Sequence, residues 1–194
     1  IKIKKAYKFG KYKVKIQKYS LKNLHNESDL FFDWYLKYCT KNLKIRAIKK
    51  VIKKELNKIY QKLYFKNETF VHRDFHVSNI MIYKKSLGLI DNQDAILGNP
   101  LYDVASLLDD VRVRIPNGLQ NKLLRFYFFN SKLKKEKYQN LKNDYDILSI
   151  QRNLKILGIF VRLSKRDNKS IYLKYLPYTW SLIQRRLKNP IFKN

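Results

Sequence analysis

The hydrophobic positions of this chain change their rhythm from one segment to the next. In residues 1–18 apolar and basic residues alternate, as in Ile1-Lys2-Ile3-Lys4 and Tyr12-Lys13-Val14-Lys15-Ile16. Period two predicts an exposed strand or an extended segment. Glu27-Ser28-Asp29 then precede Leu30, Phe31, Trp34, Tyr35 and Tyr38, which predicts a capped helix with an aromatic face. Between 42 and 64, Ile45, Ile48, Ile52, Leu56, Ile59 and Leu63 recur at steps of three and four with lysines between them. That spacing predicts a long amphipathic helix with its lysines on the wet face.

The pattern shortens in the middle of the chain. Phe70-Val71-His72 is a brief apolar start. Ile80-Met81-Ile82-Tyr83 and Leu87-Gly88-Leu89-Ile90 flank Lys84-Lys85-Ser86 and predict a β-hairpin. Asp91 to Asn99 reads as a loop, and Pro100 marks a helix start. A helix over 101–112 is expected, broken by Pro116-Asn117-Gly118. Three further helices are expected at about 119–132, 144–165 and 170–187. The stretch Leu154–Leu163 is apolar almost all round, which makes that helix central. The fold class is mainly α with a small β-hairpin, without internal repeats.

Composition changes this picture in two ways. The chain has 194 residues, 45% of them hydrophobic, enough for a buried core. No run approaches 18 apolar residues, so no membrane partner is expected. Its single cysteine, Cys39, excludes an intrachain disulfide framework and points to a reducing, cytoplasmic setting. The net charge is +28, and 33 of the 43 basic residues are lysine. Such a charge invites a basic nucleic-acid-binding module. Lysines spread over helix faces, in a chain with only four alanines, fit codon bias and solvation better. The distribution matters more than the total. Residues 71–120 hold five basic residues against six acidic ones, an acidic island in a basic chain.

The candidate chemistry lies in that island. Asp74 and Asn79 are five apart in His72-Arg73-Asp74-Phe75-His76-Val77-Ser78-Asn79, and Asp91 follows the second strand of the hairpin. A hairpin brings its ends together, so Asn79 and Asp91 should be neighbours with Asp74 close by. Hard oxygen donors suit Mg²⁺ held together with substrate phosphates. A separate carboxylate can accept a proton from an attacking hydroxyl.

His72-Arg73-Asp74 with Asn79 resembles the catalytic loop of the protein-kinase-like fold. Asp91 stands where protein kinases carry Asp-Phe-Gly, but Asn92-Gln93 follows here. Asp91-Asn92-Gln93-Asp94-Ala95, Gly98, Pro100 and Tyr102-Asp103-Val104-Ala105-Ser106-Leu107-Leu108 resemble the aminoglycoside phosphotransferase and choline kinase group. More narrowly, Phe32-Asp33-Trp34-Tyr35, Gln151-Arg152-Asn153-Leu154-Lys155 with Gly158-Ile159-Phe160, and Arg166-Asp167 through Tyr172-Leu173 resemble bacterial N-acetylmuramate/N-acetylglucosamine kinases. The resemblance runs from about residue 28 onward.

The resemblance implies the C-terminal lobe of a protein-kinase-like α+β fold, with ATP and a small-molecule sugar as substrates and Mg²⁺ as cofactor. It implies Asp74 as the base and Asn79 and Asp91 as metal ligands. His72 and Asp103 would be structural. Asp94 is left between a metal or substrate role and a loop brace, with the brace favoured. His76 and Gln93 either touch substrate or are hydrogen-bonded loop residues. Arg152 and Arg162, on the apolar helix, are expected in buried ion pairs, with an arginine reaching for a sugar carboxylate as the alternative. An aminoglycoside or choline acceptor stays open within the superfamily. The five glycines are too dispersed for a phosphate-covering loop, and no strand lysine with a partner glutamate precedes the motif. Residues 1–27 are therefore expected to be an inter-lobe linker or edge segment, residues 28–194 the C-terminal lobe, and the nucleotide lobe a partner outside this chain. The chain alone is expected to be inactive.

Overall fold

The computed structural model describes residues 6–9, 11–40 and 44–193. The Ile1–Lys4 alternation lies outside them. The alternation that follows forms an antiparallel hairpin, β1 (Ala6–Phe9) with β2 (Tyr12–Lys15), in which Ala6 faces Lys15.

The first helix begins earlier than its aromatic face predicts. Helix α1 spans Leu21–Leu30 and is capped by Ser20, whose hydroxyl accepts the Asn23 N–H while Asn23 accepts the Ser20 N–H. This reciprocal pair satisfies two first-turn donors. Glu27 and Ser28 are therefore not a cap but buried mid-helix residues, and the Ser28 hydroxyl donates back to the Leu24 carbonyl at 3.0 Å. The helix continues through a π-helical turn (Phe31–Leu36) into a last turn, α2 (Lys37–Cys39). Helix α3 (Ile45–Tyr60) carries the expected amphipathic stripe. Several of its lysines are paired: Lys49 with Asp33 (2.9 Å), Lys53 with Asp29 (2.8 Å) and Lys58 with Glu55 (2.8 Å).

The region read as a loop after Asp91 contains a strand. β6 (Ile96–Gly98) pairs antiparallel with β3 (Thr69–Val71), Thr69 opposite Gly98. Only glycine fits there without a shift, because a Cβ on Gly98 would stand 2.9 Å from Val71 Cγ2. The predicted hairpin is present as β4 (Ile80–Tyr83) and β5 (Ser86–Leu89). Its two-residue turn places Lys84 and Lys85 both in left-handed conformations, φ 44° and 64°, the twist that matches the flanking strands.

The helical remainder differs from expectation mainly at its ends. Helix α4 (Leu101–Leu108) stops short of 112, because Asp109 and Asp110 are buried and turned to bind other elements. Pro116 starts a helix rather than breaking one: its carbonyl accepts the Gln120 N–H, and Asn117 and Gly118 lie in the first turn of α5 (Asn117–Asn130). Helix α6 (Tyr138–Arg166) has 29 residues, about 44 Å at the usual rise. The last predicted helix is split. Ser170–Tyr175 is a 3-10 segment and α7 runs over Leu176–Arg186, since Pro177 suits a helix start and not an interior.

Helix α6 is the axis of the molecule, as its apolar girth predicts. Leu141, Tyr145, Leu148, Leu157 and Val161 are all at most 1% exposed. It passes the end of α1 so closely that a Cβ on Gly158 would lie 2.3 Å from the Leu30 backbone. Asp109 ties α6 and α7 to the end of α4. It accepts from Arg186 at 2.6 Å and from the Tyr145 hydroxyl at 3.2 Å, with Ser149 also bound. Asp144 accepts the amides of Tyr64 and Phe65 at 2.8 and 2.9 Å, fixing the approach to β3. The result is a mainly helical fold built around α6, with three two-stranded sheets among the described residues, β1–β2, β3–β6 and β4–β5.

Candidate active site

The two short sheets place the polar loop. Strand β3 delivers the chain to His72, and β6 holds the returning end, so residues 72–95 form a loop closed at its base. Inside it, a 3-10 turn (Val77–Asn79) leads into the β4–β5 hairpin. The Ile90 N–H donates to the Asn79 carbonyl at 3.2 Å, extending that ladder by one step. Asn79 and Asp91 therefore leave the same end of one hairpin. Asn79 donates its side-chain amide to the Asp74 carbonyl at 2.9 Å, which brings the third residue to them.

Strained backbone marks the same place. Arg73 and Asp91 both have φ in the left-handed region, 73° and 65°. Such a conformation costs a non-glycine residue on the order of 1 kcal/mol and persists only where surroundings enforce it. At Arg73 the enforcement is visible. Asp103 accepts the His72 and Arg73 amides at 2.7 and 3.1 Å. Burial pushes the Asp103 carboxyl above its usual range, and those two amides oppose the shift. The Arg73 guanidinium meets Glu27 at 2.7 Å. Glu27 also accepts from the Tyr102 hydroxyl (2.9 Å) and Gln151 (3.0 Å) and pairs with Lys155 (3.3 Å). Burial raises the Glu27 carboxyl, but Lys155 and then its hydrogen bonds outweigh that and hold it at about 2.

The remaining expected residues fall as follows. His72 is buried. Its Nε2–H donates to the Ile90 carbonyl at 2.9 Å, leaving Nδ1 buried without a partner. It thus ties the strand before Asp74 to the residue before Asp91. Asp91 is exposed and accepts from Gln93 Nε2 at 2.5 Å. Asp94 is exposed. The contact it makes is through its backbone carbonyl, which accepts from Arg73 at 3.4 Å. Asn79, already donating through Nδ2, keeps its Oδ1 as an acceptor. Asn79, buried, and Asp91, exposed, thus offer the hard oxygen donors that Mg²⁺ prefers at the same end of one hairpin. Among the described residues no three His, Cys, Asp or Glu side chains cluster to cage a metal. A metal here would rely on phosphate oxygens for its other ligands, as is usual for Mg²⁺.

Asp74 opens onto a cavity of about 130 Å³. His76 and Asp74 form one side, with Arg112, Arg152 and Lys155 around it and Ile156, Ile159 and Phe160 as an apolar wall. Burial pushes the His76 imidazole below its usual range, with Arg112 adding to the effect. Asp110 fixes the far rim: it accepts the Val77 amide at 3.0 Å and pairs with Arg112 at 3.1 Å.

Several of these residues escape sequence reasoning. Glu27 falls in a segment expected to be linker, yet it is the only acidic residue among the first 28, which was the available signal. Asp103, Asp109 and Asp110, half of the acidic island, are committed to backbone amides and arginines. The island is therefore not one metal-binding set. Arg152 and Arg162 do not form the ion pairs expected of them among the described residues. The arginine pairs that reach buried carboxylates are Arg73–Glu27, Arg112–Asp110 and Arg186 with Asp109 and Asp146.

This arrangement sets an Asp on a strained loop close to an Asn and an Asp at the mouth of a hairpin, on a mainly helical fold. Residues 9–139 match the phosphotransferase enzyme family, and the chain belongs to that family. Its fold is the C-terminal lobe of the protein-kinase-like class. The chain is similar to the N-acetylmuramate/N-acetylglucosamine kinase of Pseudomonas aeruginosa, at 29% identity over 79% of this chain and 47% of the relative. It is also similar to the enzyme of that name from Neisseria meningitidis, at 26% identity over 88% of this chain and 52% of the relative. The Caulobacter vibrioides enzyme of the same name is 28% identical over 83% of this chain and 44% of the relative. The chain spans about half the length of these curated relatives. No helix among the described residues is long and apolar enough to cross a membrane.

Proposed function

We propose that this chain is the acceptor- and metal-binding part of an ATP-dependent kinase that phosphorylates the anomeric hydroxyl of N-acetylmuramate or N-acetylglucosamine. The observation that carries the reading is Asp74, held on a pinned loop at the rim of a cavity, with Asn79 and Asp91 at the adjoining hairpin mouth. The names of the relatives supply the sugar.

In this reading the acceptor hydroxyl sits in the cavity and gives its proton to an Asp74 carboxylate oxygen. The loop carries the cost of positioning in advance, through Asp103 under the His72 and Arg73 amides and Glu27 under the Arg73 side chain. Asn79 and Asp91 would hold Mg²⁺, which neutralises charge on the ATP phosphates when bound. Gln93, bonded to Asp91, orients that carboxylate. His72 keeps Asp74 and Asp91 on a common frame through the Ile90 carbonyl. His76 serves as a hydrogen-bonding group toward the acceptor.

Phosphoryl transfer needs the nucleotide covered as well as the acceptor held. The dispersed glycines of this chain offer no such cover, so residues 28–194 are read as one lobe, with the nucleotide lobe elsewhere in the same protein. The test is phosphorus NMR on the full-length protein with ATP and either sugar. A sugar 1-phosphate is expected; phosphate on another hydroxyl, or none, overturns the reading. The chain by itself should give no product in the same assay.

A further inference from the structure

The cavity beside Asp74 contains a charge that the protein leaves unanswered. Arg152 is 5% exposed, and among the described residues its guanidinium makes no hydrogen bond or ion pair; its Nη1 is fully buried without a partner. A buried guanidinium normally has a carboxylate or several acceptors, because desolvating it alone is expensive. The neighbouring cations do have partners: Lys155 has Glu27 and Arg112 has Asp110. Asp103 lies within range of Arg152's field, but both its oxygens are already spent on the His72 and Arg73 amides.

We infer that Arg152, with Arg112 at the rim, is an anion subsite for a carboxylate on the acceptor, so that the substrate class is an acidic sugar in preference to a neutral one. This rests on the kinase reading above and names its acceptor more closely. A guanidinium presents a planar fork of N–H donors that matches a carboxylate in two parallel hydrogen bonds, whereas one hydroxyl uses a single donor. Ile156, Ile159 and Phe160, one to two turns further along the same helix, give the cavity an apolar lining that suits the C–H face of a sugar or a short alkyl arm. The volume of about 130 Å³ equals roughly four waters of liquid, room for an arm and part of a ring. The same donors could instead meet the transferred phosphoryl group, and the test separates these two anions.

The experiment uses full-length protein and three acceptors: N-acetylmuramate, its carboxamide and N-acetylglucosamine. Wild type should prefer the acid over the carboxamide in kcat/KM by about 30-fold. Arg152→Met should bring that ratio close to one, chiefly through KM, and Arg152→Lys should recover part of it. A wild-type ratio near one, or an unchanged ratio in Arg152→Met, overturns the inference. Equal losses on all three acceptors overturn it too, by assigning Arg152 to the phosphoryl group. If Arg152→Met does not fold, the wild-type ratio and Arg112→Gln, expected to lower it, decide the matter. Calorimetric binding of acid and carboxamide without ATP keeps the two readings apart. Selective binding of the acid with no turnover of any sugar sustains the subsite and removes the kinase reading; turnover without selectivity does the reverse.

Discussion

Asp91 and Asp109 are the same residue type in opposite circumstances. Asp91 is exposed at the mouth of a hairpin, in a left-handed conformation, with Gln93 as its side-chain partner. Asp109 is 1% exposed and bound to Arg186, Tyr145 and Ser149. The first has lone pairs to give to something that arrives. The second has spent them on the fold. The division extends across the whole acidic island: Asp74, Asp91 and Asp94 lie on the loop, while Asp103 and Asp110 fasten it to the helices and Asp109 fastens helices to one another. In the proposed reading, what separates a carboxylate that binds a ligand from a structural one is whether its oxygens are already occupied.

The comparison breaks most sharply at Asp74. In the full-length protein Asp74→Asn should lower kcat by about three orders of magnitude while the thermal midpoint stays within a degree or two of wild type. Near-normal turnover would take Asp74 out of the base role and blur the distinction. Asp109→Ala is the converse. It leaves Arg186 charged and buried, at a cost of about 3–5 kcal/mol in urea unfolding. A loss below about 1 kcal/mol would show that the pair is replaceable packing.

Glu27 sharpens the comparison through pH. Its folded-state value of about 2 lies below its ordinary 4.5. The stabilisation is therefore complete above about pH 4.5 and is lost as pH falls toward about 2. The size is about 3 kcal/mol at 1.36 kcal/mol per unit. Asp103 and Asp144 are shifted upward by burial and act in the opposite sense, gaining on protonation. Chemical unfolding of wild type and Glu27→Gln across that window should show curves that converge as the pH drops. Parallel curves would mean that Glu27 is not the group being titrated.

Much of this was legible in the chain. The hairpin follows from two apolar runs around a short turn, and the central helix follows from its girth. The convergence of Asn79 and Asp91 follows from the hairpin. The clamps were not legible, because they join residues far apart in sequence. Nothing local marks Glu27 as the partner of Arg73, or Asp110 as the acceptor of the Val77 amide. Strand β6 is three residues long and is specified by the fit of Val71 against Gly98, a contact no periodicity carries. Likewise Arg152 read as a buried ion-pair residue because its helix is apolar, and only the structure shows that it has no such partner among the described residues.

Asp94 carries the smallest expected effect and tests the rule where it is weakest. It is exposed like Asp91, yet its recorded bond is the backbone carbonyl that accepts from Arg73. A loop brace that works through a carbonyl survives loss of the side chain. Asp94→Ala should therefore change stability by less than about 0.5 kcal/mol, as for ordinary surface positions. Its kcat/KM should stay within about threefold of wild type. A tenfold or greater fall, relieved by raised Mg²⁺, would move Asp94 to the side of Asp91. Exposure alone would then assign a carboxylate of this loop to the metal, whatever bonds its backbone makes.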